Sequence, residues 1–158
     1  MGHTDYLKDK QSKTIADALT KVLADTFVLY FKTHAYHWNV EGPHFKSLHE
    51  LFGEQYTEMW EATDEIAERI RALNSYAPVS FADLVKTASL SEETGQRPDA
   101  PEMLVRLADD HAALVADALY PALRAAEEAG DEATVDMMVG RIEVHEKTAW
   151  MLRSTAKE

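Results

Sequence analysis

Helical periodicity runs through almost the whole chain and is broken at only a few places. The 158 residues include six glycines and five prolines, and most of these lie at the breaks. Between the breaks, apolar residues recur at the three- and four-residue spacing of a buried helical face, without the alternation of a strand. The sequence therefore predicts an all-α protein.

Four long helices and one short helix are predicted between these breaks. The first helix ends at the Gly42–Pro43 break, and the third ends at Gly130 after a bend at Pro121. Ser80 and Asp131 are predicted to cap the short helix and the fourth long helix. The five predicted helices cover approximately residues 13–39, 44–74, 81–86, 101–129 and 132–154.

The lengths of the connections indicate how these helices pack. The first two long helices are joined tightly, as are the last two, whereas about twenty-five residues separate the second from the third. A four-helix bundle with one long crossover has this pattern, and it is the ferritin-like arrangement, here with a short extra helix in the crossover between helices 2 and 3. We expect one bundle domain at residues 13–155, a short N-terminal tail at 1–12 and a C-terminal tail at 156–158.

Charge and composition argue against several classes of protein. The net charge is −12, and an acidic chain repels nucleic-acid phosphates and anionic membranes while it attracts cations. No run of about eighteen apolar residues occurs, so no membrane span is expected. Because the chain also lacks cysteine and a signal-like apolar stretch near its start, we expect a cytoplasmic protein.

Four of the seven histidines lie in the stretch "HAYHWNVEGPHFKSLHE", on both sides of the Gly42–Pro43 break. His37 lies six residues before Pro43 and His49 lies six residues after it. If the break reverses the chain, the two histidines lie level on adjacent helices, where their imidazoles suit iron, zinc or copper. The alternative is a histidine pair without a metal. His34, one turn before His37, is either a support for the site or a packing residue.

Two carboxylates on the second helix add to this pattern. Asp64 and Glu68 are four residues apart and share one helix face. By itself, this spacing is equally typical of an acidic helix face exposed to solvent. Fifteen residues of helix separate His49 from Asp64 by about 22 Å, so one chain cannot bring both to the same ion. If the second helices of two chains packed antiparallel about a twofold axis near Tyr56 and Thr57, His49 of one chain would lie beside Asp64 of the other. Such a dimer would have two equivalent sites.

Two common metal motifs are missing. The Glu-x-x-His pair of the di-iron bundles occurs only as "EGPH" at 41–44, across the predicted turn. The sequence also has no His-Glu-x-x-His, which argues against a conventional zinc peptidase.

The stretches "THAYHWNVEGPHFKSLHELF" and "YTEMWEATDEIAERIRAL" closely resemble the Dps family, the mini-ferritins named as DNA-binding proteins from starved cells. "GDEATVDMM" and "HEKTAWMLRS" resemble the fourth helix of that family, and the resemblance covers nearly the whole chain from about Lys13. It implies a ferroxidase centre between twofold-related subunits of a hollow homo-dodecamer. By position, His37 and His49 come from one subunit, and Asp64 and Glu68 from its mate.

The resemblance also implies the chemistry. Ferrous iron would be oxidised, preferably by hydrogen peroxide rather than dioxygen, and the ferric mineral stored in the cavity, which protects against oxidative stress. Zinc is a possible surrogate ion. Trp38 matches a family tryptophan near the centre, and Asp131 and Asp136 match acidic residues that line threefold pores, although a capping role alone would also explain Asp131.

One residue departs from the family pattern at the centre. Many relatives carry an acidic residue four positions after the second histidine, where this chain has Gly53, so we expect a second iron position that is weak, water-ligated or filled only transiently. Glu54 is turned by about 100° and does not replace it automatically. DNA binding as the main role is the alternative function, but Lys8, Lys10 and Lys13 near the N-terminus are diluted by Asp5 and Asp9, so we expect weak or no binding.

Overall fold

The computed structural model describes residues 2–157, which form a bundle of four long helical segments with one short helix in a crossover. The all-α prediction and the predicted bundle architecture are confirmed, and no strand occurs within residues 2–157. The helices are α1 (Asp9–Asn39), α2 (Phe45–Ala72), α3 (Phe81–Thr87), α4 (Ala100–Leu114), α5 (Tyr120–Ala129) and α6 (Glu132–Ala156), and a π-helical turn (Val115–Leu119) joins α4 to α5. Among the described residues, no helix is both long enough and apolar enough to cross a membrane.

The first helix starts earlier than predicted, at Asp9 instead of about Lys13. The Gln11 side chain accepts a hydrogen bond from the Lys8 backbone N–H, so one of the unpaired donors at the helix start has a partner. Part of the segment predicted as a tail is therefore helical.

The core lies between two helix pairs, with α1 against α2 and the α4–α5 segment against α6. Each helix contributes its apolar stripe, and the crossover helix α3 packs against α1. Fully buried core residues include Ile15, Leu19, Leu29, Phe52, Met59, Ile66, Leu107, Leu114 and Leu152.

The π-helical turn explains how the third long segment accommodates Pro121. Proline has no N–H and its ring crowds the carbonyl four residues earlier, which here belongs to Asp117. The turn at Val115–Leu119 widens the helix at this point. The Asp117 carbonyl accepts a hydrogen bond of 2.5 Å from Lys21 Nζ of α1, so this carbonyl has a partner in the neighbouring helix.

The long crossover is fastened to α1 by a buried carboxylate. Asp25 accepts hydrogen bonds from the backbone N–H groups of Ser89 and Leu90 at 2.7 and 2.9 Å, and from the Ser89 hydroxyl at 3.1 Å. Further along, the Tyr36 hydroxyl donates to Glu93. These hydrogen bonds hold this part of the crossover in place without the repeating backbone hydrogen bonds of a helix.

Asp131 is fully buried and caps α6, because it accepts a hydrogen bond from the Thr134 N–H. It also pairs with Arg69 of α2 at 2.6 Å and accepts from the Tyr6 hydroxyl. Burial by itself raises the pKa of the Asp131 carboxyl, but the hydrogen bonds from Arg69 and Thr134 hold that pKa below its usual value. These contacts support the capping role for Asp131, whereas Asp136 is exposed.

A buried polar chain links three helices. Arg141 of α6 donates to Glu58 of α2 through both terminal nitrogens and to His145 Nε2 at 2.8 Å. Since arginine only donates, His145 carries its proton on Nδ1 and donates to His111 Nδ1 of α4 at 2.8 Å. Burial and the charge of Arg141 lower the pKa of His111 to about 3. Burial, His111 and Arg141 likewise lower the pKa of His145.

We expect these two neutral histidines to make the fold sensitive to acid. Between the ordinary histidine pKa of about 6.5 and the lowered values, the unfolded chain binds more protons than the folded one, so stability falls as pH falls. At pH 5 the protonation difference at His111 lowers the free energy of unfolding by about 2 kcal/mol. Denaturant unfolding at pH 7 and pH 5 measures it.

The double variant His111→Leu, His145→Leu removes both partners of one hydrogen bond and should flatten this pH dependence. His44→Gln, at an exposed histidine, is the matched control and should leave the dependence unchanged. A double variant that loses stability with acid as steeply as the original chain would show that other groups cause the effect.

Candidate metal site

The turn between α1 and α2 places His37 and His49 side by side. Gly42 adopts a φ of 123°, which is strained for residues with a side chain, and it lets the chain reverse between Asn39 and Phe45. The two imidazole rings stack with centroids 3.7 Å apart and planes at 15°.

Two reciprocal hydrogen bonds fix the orientation of this pair. His37 Nδ1 lies 2.6 Å from the His49 carbonyl oxygen, and His49 Nδ1 lies 2.7 Å from the His37 carbonyl oxygen. A carbonyl only accepts, so both rings carry a proton on Nδ1 and donate it. In the neutral form of each ring, Nε2 is then the unprotonated nitrogen, and this is the form of imidazole that binds a metal.

The His37 carbonyl is available for this bond because it lies in the last turn of α1. The last four carbonyls of an α-helix have no intrahelical donor and need other partners. His49 supplies one of them from the neighbouring helix. A hydrogen-bonded backbone carbonyl commonly orients a metal-binding histidine in this way.

Gly53 makes room for the His37 ring. It follows His49 by one helical turn, and a Cβ atom there would lie 3.1 Å from His37 Cε1 and 3.2 Å from His37 Nδ1. The His37 ring is held by the hydrogen bond and the stack, so it has little freedom to withdraw. The sequence identified Gly53 only as a missing ligand, whereas the structure shows that a Cβ atom there would be in tight contact with the His37 ring.

Asp64 and Glu68 are exposed and lie further along α2. The helix is continuous from Phe45 to Ala72, so about 22 Å of helix separates His49 from Asp64. Within residues 2–157, no three histidine, aspartate or glutamate side chains are close enough together to hold one metal ion. A single chain therefore brings together two imidazole donors and leaves its carboxylates elsewhere.

An aromatic group lies behind the histidine pair. His34 stacks on Tyr56 with centroids 3.7 Å apart and planes at 7°, and His34 Nδ1 lies 2.9 Å from the Tyr30 hydroxyl. The Tyr56 ring in turn contacts His37, with centroids 5.2 Å apart. Burial and the neighbouring His37 lower the pKa of His34. Trp38 lies 4.1 Å from His34 by ring centroid.

Sequence reasoning missed Tyr30 and Tyr56 as neighbours of the site. The spacing of Tyr30 and His34 by four residues was a visible signal, because such residues meet on one helix face. The partner of His34 on α2 was not visible, since it depends on the register between the helices. His44 is exposed at the start of α2, away from the pair.

Comparison with known proteins gives consistent matches. Residues 16–158 match the family described as Ferritin-like domain. The chain is 38% identical to the DNA protection during starvation protein of Brevibacillus brevis, across 94% of this chain and 98% of that protein. It is 40% identical to a low temperature-induced protein of Nostoc sp., across 94% of this chain and 83% of that protein.

A solved structure agrees with these matches. The crystal structure of the Dps protein from Vibrio cholerae O1, described as a member of a superfamily of ferritin-like diiron-carboxylate proteins, superposes with a TM-score of 0.90. The two chains are 36% identical, and the match covers 96% of this chain and 94% of that one.

Replacing Gly53 by alanine tests whether the ring of His37 needs this space. Gly140 lies in the interior of α6 with nothing within 4 Å of an added Cβ, so Gly140→Ala should raise the free energy of unfolding by about 0.5–1 kcal/mol. We expect Gly53→Ala to gain less or to lose stability, because its Cβ crowds His37. Denaturant unfolding gives the stabilities, and ¹⁵N NMR of the histidine rings gives the Nδ1 protonation of His37. Equal gains with an unchanged His37 tautomer would contradict this view.

Proposed function

The chain belongs to the Dps family within the ferritin-like proteins, and from that membership we propose that it oxidises ferrous iron and stores the ferric product. Iron would be oxidised at a ferroxidase centre between two subunits and stored in the cavity of a dodecamer. Hydrogen peroxide is the proposed oxidant. Consuming ferrous iron and peroxide together limits the formation of hydroxyl radical, so the proposed role is protection against oxidative stress, in the cytoplasm.

The paired histidines carry this proposal. In their neutral forms, His37 and His49 have Nε2 as the unprotonated nitrogen, because each Nδ1 donates its proton to a carbonyl. Imidazole combined with carboxylate suits iron, whereas zinc as a surrogate is supported only by the imidazoles. Two donors hold an ion weakly, so the centre needs ligands from outside the chain.

A second subunit would supply those ligands. If two α2 helices pack antiparallel about a twofold, Asp64 and Glu68 of the partner subunit come level with the histidine pair. The exposed aromatic rings on this side support a covered face, since Phe31, Trp38 and Trp60 are each more than half exposed in the single chain. The net charge of −12 would attract ferrous ions to such an assembly.

Oxidation of ferrous iron tests the centre directly. The protein is loaded with Fe(II) without oxygen, peroxide is added, and the near-ultraviolet absorbance of ferric product is followed. We expect His37→Ala and Asp64→Ala to slow this oxidation at least tenfold, because each removes a ligand. Glu65→Gln and His44→Ala change an exposed carboxylate and an exposed histidine that are not proposed ligands, so they should leave the rate unchanged. Equal rates in all five proteins would reject the proposed centre.

Mixing two inactive variants tests whether the centre is shared between subunits. One variant carries His37→Ala with His49→Ala, and the other carries Asp64→Ala with Glu68→Ala. In a mixed dimer, one site combines the intact histidines with the intact carboxylates. Random co-assembly should therefore restore about a quarter of the sites, as expected for an isologous contact. A centre contained within one chain would recover no activity on mixing.

We expect weak or no binding to duplex DNA at physiological salt. Lys10 and Lys13 lie in α1 instead of a separate basic tail, and Lys13 pairs with Asp17 at 2.8 Å. Few lysines are left to displace counterions, and the charge of −12 on each chain opposes phosphate. An electrophoretic mobility shift assay over a salt series measures this, and tight binding at physiological salt would favour the nucleoid-binding alternative.

A further inference from the structure

We propose that the guanidinium of Arg141 occupies a latent metal site inside the bundle and keeps divalent cations out of it. Glu58 and His145 are the ligands of this site, and Arg141 takes the place of the metal ion. The proposal concerns the interior of one subunit. It therefore depends neither on the proposed centre between subunits nor on the oxidation of iron.

The first observation is that one nitrogen of Arg141 lies between two atoms that commonly bind metals. Arg141 Nη2 is 2.9 Å from Glu58 Oε1 and 2.8 Å from His145 Nε2. The other terminal nitrogen, Nη1, is 2.5 Å from Glu58 Oε2. Two carboxylate oxygens and one imidazole nitrogen thus face the same positive charge. Oxygen and imidazole donors of this kind bind divalent first-row metals.

The second observation is the orientation of His145. Its Nε2 accepts a hydrogen bond from Arg141, and its Nδ1 donates to His111 Nδ1 at 2.8 Å. A neutral imidazole that is held at one nitrogen and unprotonated at the other is the form in which histidine binds a metal. His145 is therefore oriented as a ligand, although its partner here is a guanidinium.

The third observation is the position of these residues in the fold. Glu58 lies near the middle of α2, His111 near the middle of the α4–α5 segment, and Arg141 in the first half of α6. Four-helix bundles build their metal sites in this region, from side chains on facing helices. Arg141 and His145 are both buried. A positive charge buried there needs a counter-charge, which Glu58 supplies.

The fourth observation is that cations have access to Glu58. Its side chain is 42% exposed in the single chain and lines a surface groove together with Glu54 and Glu61. The negative charge of these carboxylates attracts cations to the groove. Glu58 connects the groove to the interior of the bundle. Without a fixed positive charge at this inner end, a divalent ion would be drawn between Glu58 and His145.

Arginine is suited to occupying such a site. The guanidinium stays protonated at any pH at which the protein is folded, and its flat shape pairs with both oxygens of a carboxylate. Because it is part of the chain, it does not dissociate as a bound ion does. Arg141 therefore acts as a specificity residue, since it competes with ferrous and other divalent ions for the lone pairs of Glu58 and His145.

Binding of cobalt(II) tests the proposal, because cobalt(II) takes the same donors and its visible absorption reports its ligands. The parent is the full chain with His37→Ala and His49→Ala, which lacks the proposed ligands between α1 and α2. Equilibrium dialysis counts the cobalt bound to each chain. We expect Arg141→Ala to bind about one cobalt(II) per chain more than this parent. Millimolar guanidinium ion should displace that cobalt, because it refills the place of the side chain.

Further substitutions in the Arg141→Ala chain identify the ligands. Adding His145→Leu or Glu58→Gln should remove the extra cobalt, because each removes a donor. Glu54→Gln is the matched control, since it changes a carboxylate of the same groove that is not a proposed ligand, and it should leave the extra cobalt bound.

Arg153→Ala controls for the loss of positive charge from α6. It removes an exposed arginine that pairs with Asp109 at 3.7 Å, and it should bind no more cobalt than the parent. A folded Arg141→Ala chain without extra cobalt would show that Arg141 is only a structural ion pair, which overturns the proposal. Extra cobalt that survives His145→Leu overturns it as well.

Circular dichroism and denaturant unfolding show whether each variant folds. If Arg141→Ala does not fold, Arg141→Gln takes its place with the same expected results, because the shorter amide keeps an N–H donor for Glu58. If neither variant folds without metal, cobalt(II) should restore the helical signal, since the ion replaces the missing charge. A failure of cobalt to restore it counts against the proposal.

Discussion

The reciprocal hydrogen bonds between His37 and His49 are the interaction on which the site depends. Each ring donates to the backbone carbonyl of the other residue, so one pair of contacts joins two helices and sets two tautomers. The same contacts direct both Nε2 atoms away from the backbone. Gly53 leaves room beside the His37 ring, because a Cβ atom at that position would lie only 3.1 Å from His37 Cε1.

Carbonyls freed by chain breaks recur as anchoring points in this bundle. The end of α1 frees the His37 carbonyl, which His49 uses. Pro121 frees the Asp117 carbonyl, which Lys21 uses from α1. In both places the interruption of one helix leaves a carbonyl that a side chain of a neighbouring helix binds. The interruptions that mark helix ends in the sequence thus also tie the helices together.

The fold was largely predictable because its signals are local. The Gly42–Pro43 break, the Ser80 cap and Gly130 act within one or two turns, and helices begin or end at these residues. The early start of α1 was missed because it depends on a capping contact of Gln11. Asp131 was harder to interpret, since its pairing with Arg69 joins residues sixty-two positions apart. The roles of the four predicted ligands remain predictions, although His37 and His49 do lie together.

The sequence by itself determined the helices, the hairpin that brings the two histidines level, and the distance that keeps Asp64 from them. These follow from turn chemistry and from the fixed rise of a helix, which depend only on neighbouring residues. The tertiary structure decided which nitrogen of each ring donates to a carbonyl, how closely position 53 approaches the His37 ring, and that His34 lies between Tyr30 and Tyr56. Those properties depend on the register between α1 and α2, and register is set by the packing of whole helices.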